Sequence, residues 1–130
     1  MARITGIGGI FFKSKDPEKL KEWYSRHFGF STDQYGHLFE FREEDHPGNR
    51  GYLQWSPFPA ETNYFSPSSR EFMVNYRVDD LEGLVAQMRQ SGIAFLDEME
   101  TYPYGKFIHL LDPEGNKIEL WEPADTGFEG

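Results

Sequence analysis

Three short stretches of this chain occur twice, in the same order. Asp16-Pro17-Glu18-Lys19-Leu20 returns 64 residues later as Asp80-Leu81-Glu82-Gly83-Leu84. Tyr35-Gly36-His37-Leu38-Phe39-Glu40-Phe41 returns as Tyr104-Gly105-Lys106-Phe107-Ile108-His109-Leu110, and Tyr52-Leu53-Gln54-Trp55 returns as Ile118-Glu119-Leu120-Trp121. Each match is weak by itself. Their colinearity describes one supersecondary unit built twice, so every position in one half has a counterpart in the other.

Each half reads as strand, helix and three further strands. Asp16 is a helix N-cap, Pro17 suits the first helical position, and Leu20, Trp23, Tyr24, His27 and Phe28 recur at helical spacing before Gly29 stops the run. In the second half Asp80 caps, Leu81, Leu84, Val85 and Met88 form the stripe, and Gly92 ends it. Between the helices, Phe72, Val74, Tyr76 and Val78 alternate with Met73, Asn75 and Arg77, the pattern of a strand whose first set covers a helix. The second set faces whatever the sheet encloses. Subtracting 64 places Gly9, Phe11 and Lys13 on the equivalent face of the first strand.

Asp112-Pro113-Glu114-Gly115-Asn116 has the composition of a tight hairpin turn. If Asp112 opposes Asn116, then His109 opposes Glu119 and Phe107 opposes Trp121, all away from the helix. The repeat makes Glu40 the counterpart of His109, and Leu53 and Trp55 the counterparts of Glu119 and Trp121. The expected organisation is a single domain, with module one at residues 4–56, a Pro- and Ser-rich linker at 57–71 and module two at 72–123.

Composition narrows the function classes. Twelve Phe, seven Tyr and three Trp in 130 residues allow one aromatic-rich core. A net charge of −9 argues against nucleic acid, whose phosphates need a basic surface to displace their counterions; it suits a cationic ligand, and more simply an acidic surface with no charge-specific role. The absence of Cys removes disulfides, thiolate nucleophiles and Cys-based zinc sites. Neither an apolar leader nor a membrane-length apolar run is present, so a cytoplasmic location and no membrane partner are expected.

The closing run Asp112-Pro-Glu-Gly-Asn-Lys-Ile-Glu-Leu-Trp-Glu-Pro123, preceded by Tyr104-Gly105, resembles the vicinal oxygen chelate superfamily. That superfamily includes glyoxalase I, extradiol dioxygenases, fosfomycin-resistance enzymes and bleomycin-binding proteins. The resemblance spans Gly8 to Pro123. It implies an α+β fold in which two βαβββ modules form a curved, cup-like mixed sheet with the helices outside. It also implies that metal-using members draw one ligand from the first and one from the last strand of each module. Those positions map here to Gly9, Leu53, Met73 and Glu119, or to Gln54 in place of Leu53 if the register slips by one. Glycine and leucine offer no donor, and a thioether suits soft metals. Only Glu119 is retained, so no metal or other cofactor is expected.

His109 and Glu119 form the most chemical pair. A carboxylate beside an imidazole is the arrangement of a general base, and equally of a cross-strand polar pair. The fosfomycin-resistance branch carries a pocket-lining polar residue at the position of His109, which favours lining. Trp55 and Trp121 are expected to flank the cup, with Phe11, Leu38, Met73 and Phe107 as apolar lining and Asn75 and Glu40 as polar fixtures. Lys13 and Arg77 read as solvated strand ends. His27 reads as packed or interfacial, and His46 with Glu43, Glu44 and Asp45 as a solvated charged run. Gly6-Ile7-Gly8-Gly9 precedes a strand, not a helix, and so is no phosphate loop. Two readings follow: a glyoxalase-like protein with a degenerate metal site that binds a small molecule in an aromatic cup, or a lyase- or isomerase-type enzyme rebuilt around His109 and Glu119. A homodimer is the expected assembly.

Overall fold

The computed structural model describes residues 2–42, 48 and 50–124. The expected solvated run of Glu43, Glu44, Asp45 and His46 lies outside these residues. Among the described residues, seven strands and two helices follow in the order β1 (Ile4–Ser14), α1 (Pro17–Phe28), β2 (His37–Arg42), β3 (Arg50–Pro59), β4 (Phe72–Val78), α2 (Leu81–Gln90), β5 (Glu100–Tyr102), β6 (Gly105–Leu111) and β7 (Lys117–Pro123). The strands form one curved mixed sheet in the order β2-β3-β1-β4-β7-β6-β5. This is the α+β, glyoxalase-like fold.

Strand pairing in one half parallels that in the other. β3 runs parallel to β1 and antiparallel to β2, as β7 runs parallel to β4 and antiparallel to β6. The halves join within one chain through antiparallel β1 and β4. They differ in one respect: beyond β6 the second half adds β5, whereas residues 29–36 form no strand. The first half is therefore βαββ, not the expected βαβββ. Its helix-to-strand connection is the shorter one, and its last residues close on themselves: the amides of Tyr35 and Gly36 both donate to the Asp33 side chain.

Local chemistry explains the repeated motifs. The side chains of Asp16 and Asp80 accept from the amides of Lys19 and Gly83, each at 3.1 Å, which caps both helices. Gly36, just before β2, and Gly105, the first residue of β6, have nearly the same φ, +133° and +138°. A Cβ there would lie 1.9 Å from the Trp55 carbonyl oxygen and 2.4 Å from that of Glu122. The Tyr-Gly pair recurs because the strand entry requires this backbone region and this approach.

The apolar core is one-sided. Val78, Leu81, Val85, Ile108, Leu110 and Leu120 form a buried cluster between α2 and the second half of the sheet. α1 buries only Lys21 fully, whose ammonium donates to the Asp33 carbonyl. Tyr24 packs on Trp55 at 4.5 Å between ring centroids, yet Trp23 is 50% and Phe28 62% exposed. The linker is also shorter than expected, because β3 runs on through residues 57–59. It is packed as well, with Phe65 fully buried.

Candidate functional site

On the face away from the helices the sheet encloses an open cavity of about 750 Å³. Phe11, Leu38 and Phe58 line it from the first half, and Asn75, Phe107 and Trp121 from the second. The residues between the units and around β5 close it, notably Tyr64, Tyr102 and Tyr104. The Phe107 and Trp121 rings lie parallel, 5.9 Å apart and 7° from coplanar, and the indole N–H donates to the Tyr104 carbonyl at 3.0 Å. Gly8 gives this wall its closeness: a Cβ there would fall 2.4 Å from Asn75 Oδ1 and 2.8 Å from Trp121 Cε3.

The floor is a chain of hydrogen bonds. The turn at Asp112 closes with the Asp112 amide on the Asn116 carbonyl, and counting from it puts His109 opposite Glu119 and Phe107 opposite Trp121. Glu119 Oε2 accepts from the Tyr64 hydroxyl at 2.5 Å and lies 2.7 Å from His109 Nε2. Its Oε1 accepts from Asn75 Nδ2 at 2.7 Å. His109 Nδ1 lies 2.6 Å from Asp97 Oδ2, and the His109 amide donates to Asp97 Oδ1 at 2.8 Å. Carboxylates at both ring nitrogens call for a proton on each, which makes His109 an imidazolium between two anions.

The titration of these groups follows from burial and bonding. Burial alone would push the Glu119 carboxyl up, but hydrogen bonds from His109, Tyr64 and Asn75 outweigh it and hold the group below its ordinary range. Burial likewise works against the His109 cation, and bonds to Glu119 and Asp97 reverse this and raise its pKa. Burial, then the charge of Glu119, raises the Tyr64 phenol, which stays a donor. The stability supplied by Glu119 is present above the ordinary carboxyl pKa of 4.5 and is lost as pH falls through the depressed folded value. That supplied by His109 is present below the ordinary imidazole pKa of 6.5 and is lost as pH rises through the raised folded value. Urea denaturation across pH should therefore show their joint contribution greatest between these two ordinary values. His109→Asn should remove the loss on the alkaline side; an unchanged alkaline limb would contradict the imidazolium assignment.

Phe11, Asn75, Phe107, His109, Glu119 and Trp121 meet at the cavity as the sequence suggests. Trp55, Glu40 and Met73 do not. Gly36 and Gly105 make Leu38 the counterpart of Phe107; Leu38 pairs with Gln54, as Phe107 pairs with Trp121. The residue matching Trp121 is thus Gln54, which lines the cavity. Trp55 faces the α1 side against Tyr24 and Phe30. Aligning Trp with Trp slipped the register by one, which moves every side chain to the opposite face. By the same count Glu119 matches Tyr52, not Leu53. Glu40 pairs with Tyr52, but its carboxylate turns outward to Arg50 at 3.5 Å. Met73 is fully buried off the cavity wall, and Asn75 is the β4 residue that reaches Glu119. Arg77 is no solvated strand end: it is buried over the Phe41 and Trp121 rings.

Tyr64, Asp97 and Lys117 were not legible as site residues. Tyr64 sits among Pro, Ser and Asn, where no periodicity assigns a face. Asp97 lies in an irregular segment whose Leu96 amide donates to the His109 carbonyl at 2.8 Å. Lys117 donates to the Tyr64 carbonyl at 2.5 Å, and its amine lies 5.1 Å from that ring's centroid.

The profile of the Glyoxalase/Bleomycin resistance protein/Dioxygenase superfamily matches residues 6–120. The chain belongs to this superfamily. A curated relative, the uncharacterized protein YetH of Bacillus subtilis, is 23% identical over 92% of this chain and 99% of its own. A variant of Streptomyces coelicolor methylmalonyl-CoA epimerase in complex with 2-nitronate-propionyl-CoA superposes with a TM-score of 0.68 at 16% identity, covering 94% of this chain and 99% of that one. Methylmalonyl-CoA epimerase from Mycobacterium tuberculosis gives 0.62 at 20% identity, covering 98% and 93%. At these identities the likeness is one of fold.

The superfamily's metal positions do not hold a metal's donors here. Register replaces Leu53 by Tyr52 and sets Asn75 beside Glu119, leaving one carboxylate among glycine, phenol and amide. That carboxylate already accepts three hydrogen bonds. A divalent ion would have to displace His109, Tyr64 or Asn75 to gain a single charged ligand, which does not fit the needs of a hard or borderline cation.

Proposed function

We propose that this protein binds a flat, small organic molecule in the cup and does so without a divalent metal. The observation that carries the reading is the open cavity walled by aromatic side chains from both halves over a floor of mutually bonded polar groups. Apolar walls with few polar fixtures are what small-molecule sites are made of. The reading of His109 and Glu119 as acid and base has less support. Glu119 is 3% exposed and accepts three hydrogen bonds, and both ring nitrogens of His109 face carboxylates, so a substrate would have to displace a protein partner to use either as a base. The coenzyme A ester of the epimerase neighbour is not carried over, because the two basic residues described in this cup, His109 and Lys117, are already bonded to protein.

Titration with acridine, a neutral three-ring probe, should give saturable quenching of tryptophan emission. Elemental analysis of untagged protein should find well below about one equivalent of any divalent ion. Added Zn²⁺, Ni²⁺, Mn²⁺ or Mg²⁺ should leave the melting temperature unchanged. A stoichiometric metal, or a metal-specific rise in melting temperature abolished by Glu119→Gln, would overturn the metal-free reading and restore the enzyme.

A further inference from the structure

We infer that the cup selects a planar organic cation, an aromatic ring system bearing a positive charge, and disfavours flat anions of the same shape. The inference rests on the small-molecule reading above and adds the sign of the ligand's charge.

Among the described residues lining the cavity, three are carboxylic acids, Asp97, Glu100 and Glu119, and two are basic, His109 and Lys117. One negative charge is in excess. Both bases already face protein groups: the imidazolium of His109 lies between Asp97 and Glu119, and the ammonium of Lys117 donates to the Tyr64 carbonyl and sits over the Tyr64 ring. The acids are committed unequally. Glu119 is buried and accepts three hydrogen bonds, whereas the Asp97 side chain is 34% exposed. Glu100 stands exposed on edge strand β5 and accepts from the Tyr102 hydroxyl. A ligand entering the cup therefore meets carboxylates with lone pairs to spare.

The rings act in the same sense. Tyr102 and Tyr104 lie parallel with centroids 5.3 Å apart and planes 6° from coplanar, beside the Phe107 and Trp121 pair. Aromatic faces carry negative quadrupole potential, which attracts a cation and repels an anion. The protein's own Lys117 occupies such a position over Tyr64. Arg77 lies over Trp121 but does not line the cavity. The chain's net charge of −9 adds a field that a concave, low-dielectric site concentrates.

Calorimetric titration with N-methylacridinium, neutral acridine at mildly alkaline pH, and acridine carboxylate varies charge on one ring skeleton. The cation should bind at least about tenfold more tightly than acridine, the scale of a desolvated cation–π contact, and the carboxylate more weakly than acridine. Added salt and Glu100→Gln should each reduce the ratio of cation affinity to acridine affinity, with circular dichroism confirming that the variant is folded. Equal affinity for all three, or preference for the carboxylate, would overturn the charge inference and leave the aromatic cup standing. Binding of none would overturn both. A cation advantage insensitive to salt and to Glu100→Gln would also overturn it, since the acids at the mouth would then have no part.

Discussion

Glu119→Ala should destabilise the protein by about 3–5 kcal/mol, the cost of removing one partner from a buried charged pair. The carboxylate is 3% exposed and accepts from Tyr64, His109 and Asn75. Its loss strands an imidazolium, a phenol and an amide in a low-dielectric floor. Urea denaturation at a pH between the two ordinary pKa values is the measurement. Glu119→Gln, which keeps the shape and part of the bonding, should cost less. In a double-mutant cycle His109→Ala and Glu119→Ala should fall well short of additivity, because one network is broken twice. A cost below about 1 kcal/mol for Glu119→Ala, the scale of a solvated pair, would mean that the floor is open to water and the network does not form.

Two tryptophans that look equivalent in the sequence should behave differently. Trp121→Ala should cost about 3–5 kcal/mol, as for a large buried ring, and should abolish acridine binding. The indole is 5% exposed, forms the wall beside Phe107 and bonds to the Tyr104 carbonyl. Trp121→Phe should recover part of the stability, retaining the ring stack but not that hydrogen bond. Trp55→Ala should lower stability through lost contacts with Tyr24, Phe12 and Phe30 and leave acridine affinity unchanged. Loss of binding in Trp55→Ala with binding retained in Trp121→Ala would reverse the assignment of the two faces.

The folded protein explains why one of these was readable and the other not. Trp121 was placed by a five-residue turn, and a tight turn propagates register along an antiparallel pair without further help. Trp55 was placed by similarity between halves, and the halves are not equal in length: the Tyr-Gly motifs are 69 residues apart and the capping aspartates 64. A one-residue slip within that difference costs nothing in sequence similarity, yet it exchanges the cup for the helix side.

What the sequence determined by itself was everything set by local rules. Asp caps with Gly stops, alternating strands and one hairpin turn define the elements, and with the Tyr-Gly motifs they identify the fold and bring His109, Glu119, Phe107 and Trp121 to one face. Tertiary structure decided the rest, because hydrogen-bond partners of a buried charge come from wherever the chain happens to pass. Tyr64 reaches Glu119 across 55 residues and Asn75 across 44, and neither separation carries a period or motif. Asp97 meets His109 from a segment with no regular structure. These contacts make Glu119, the carboxylate that the resemblance maps to a metal-ligand position, the centre of a hydrogen-bonded polar floor.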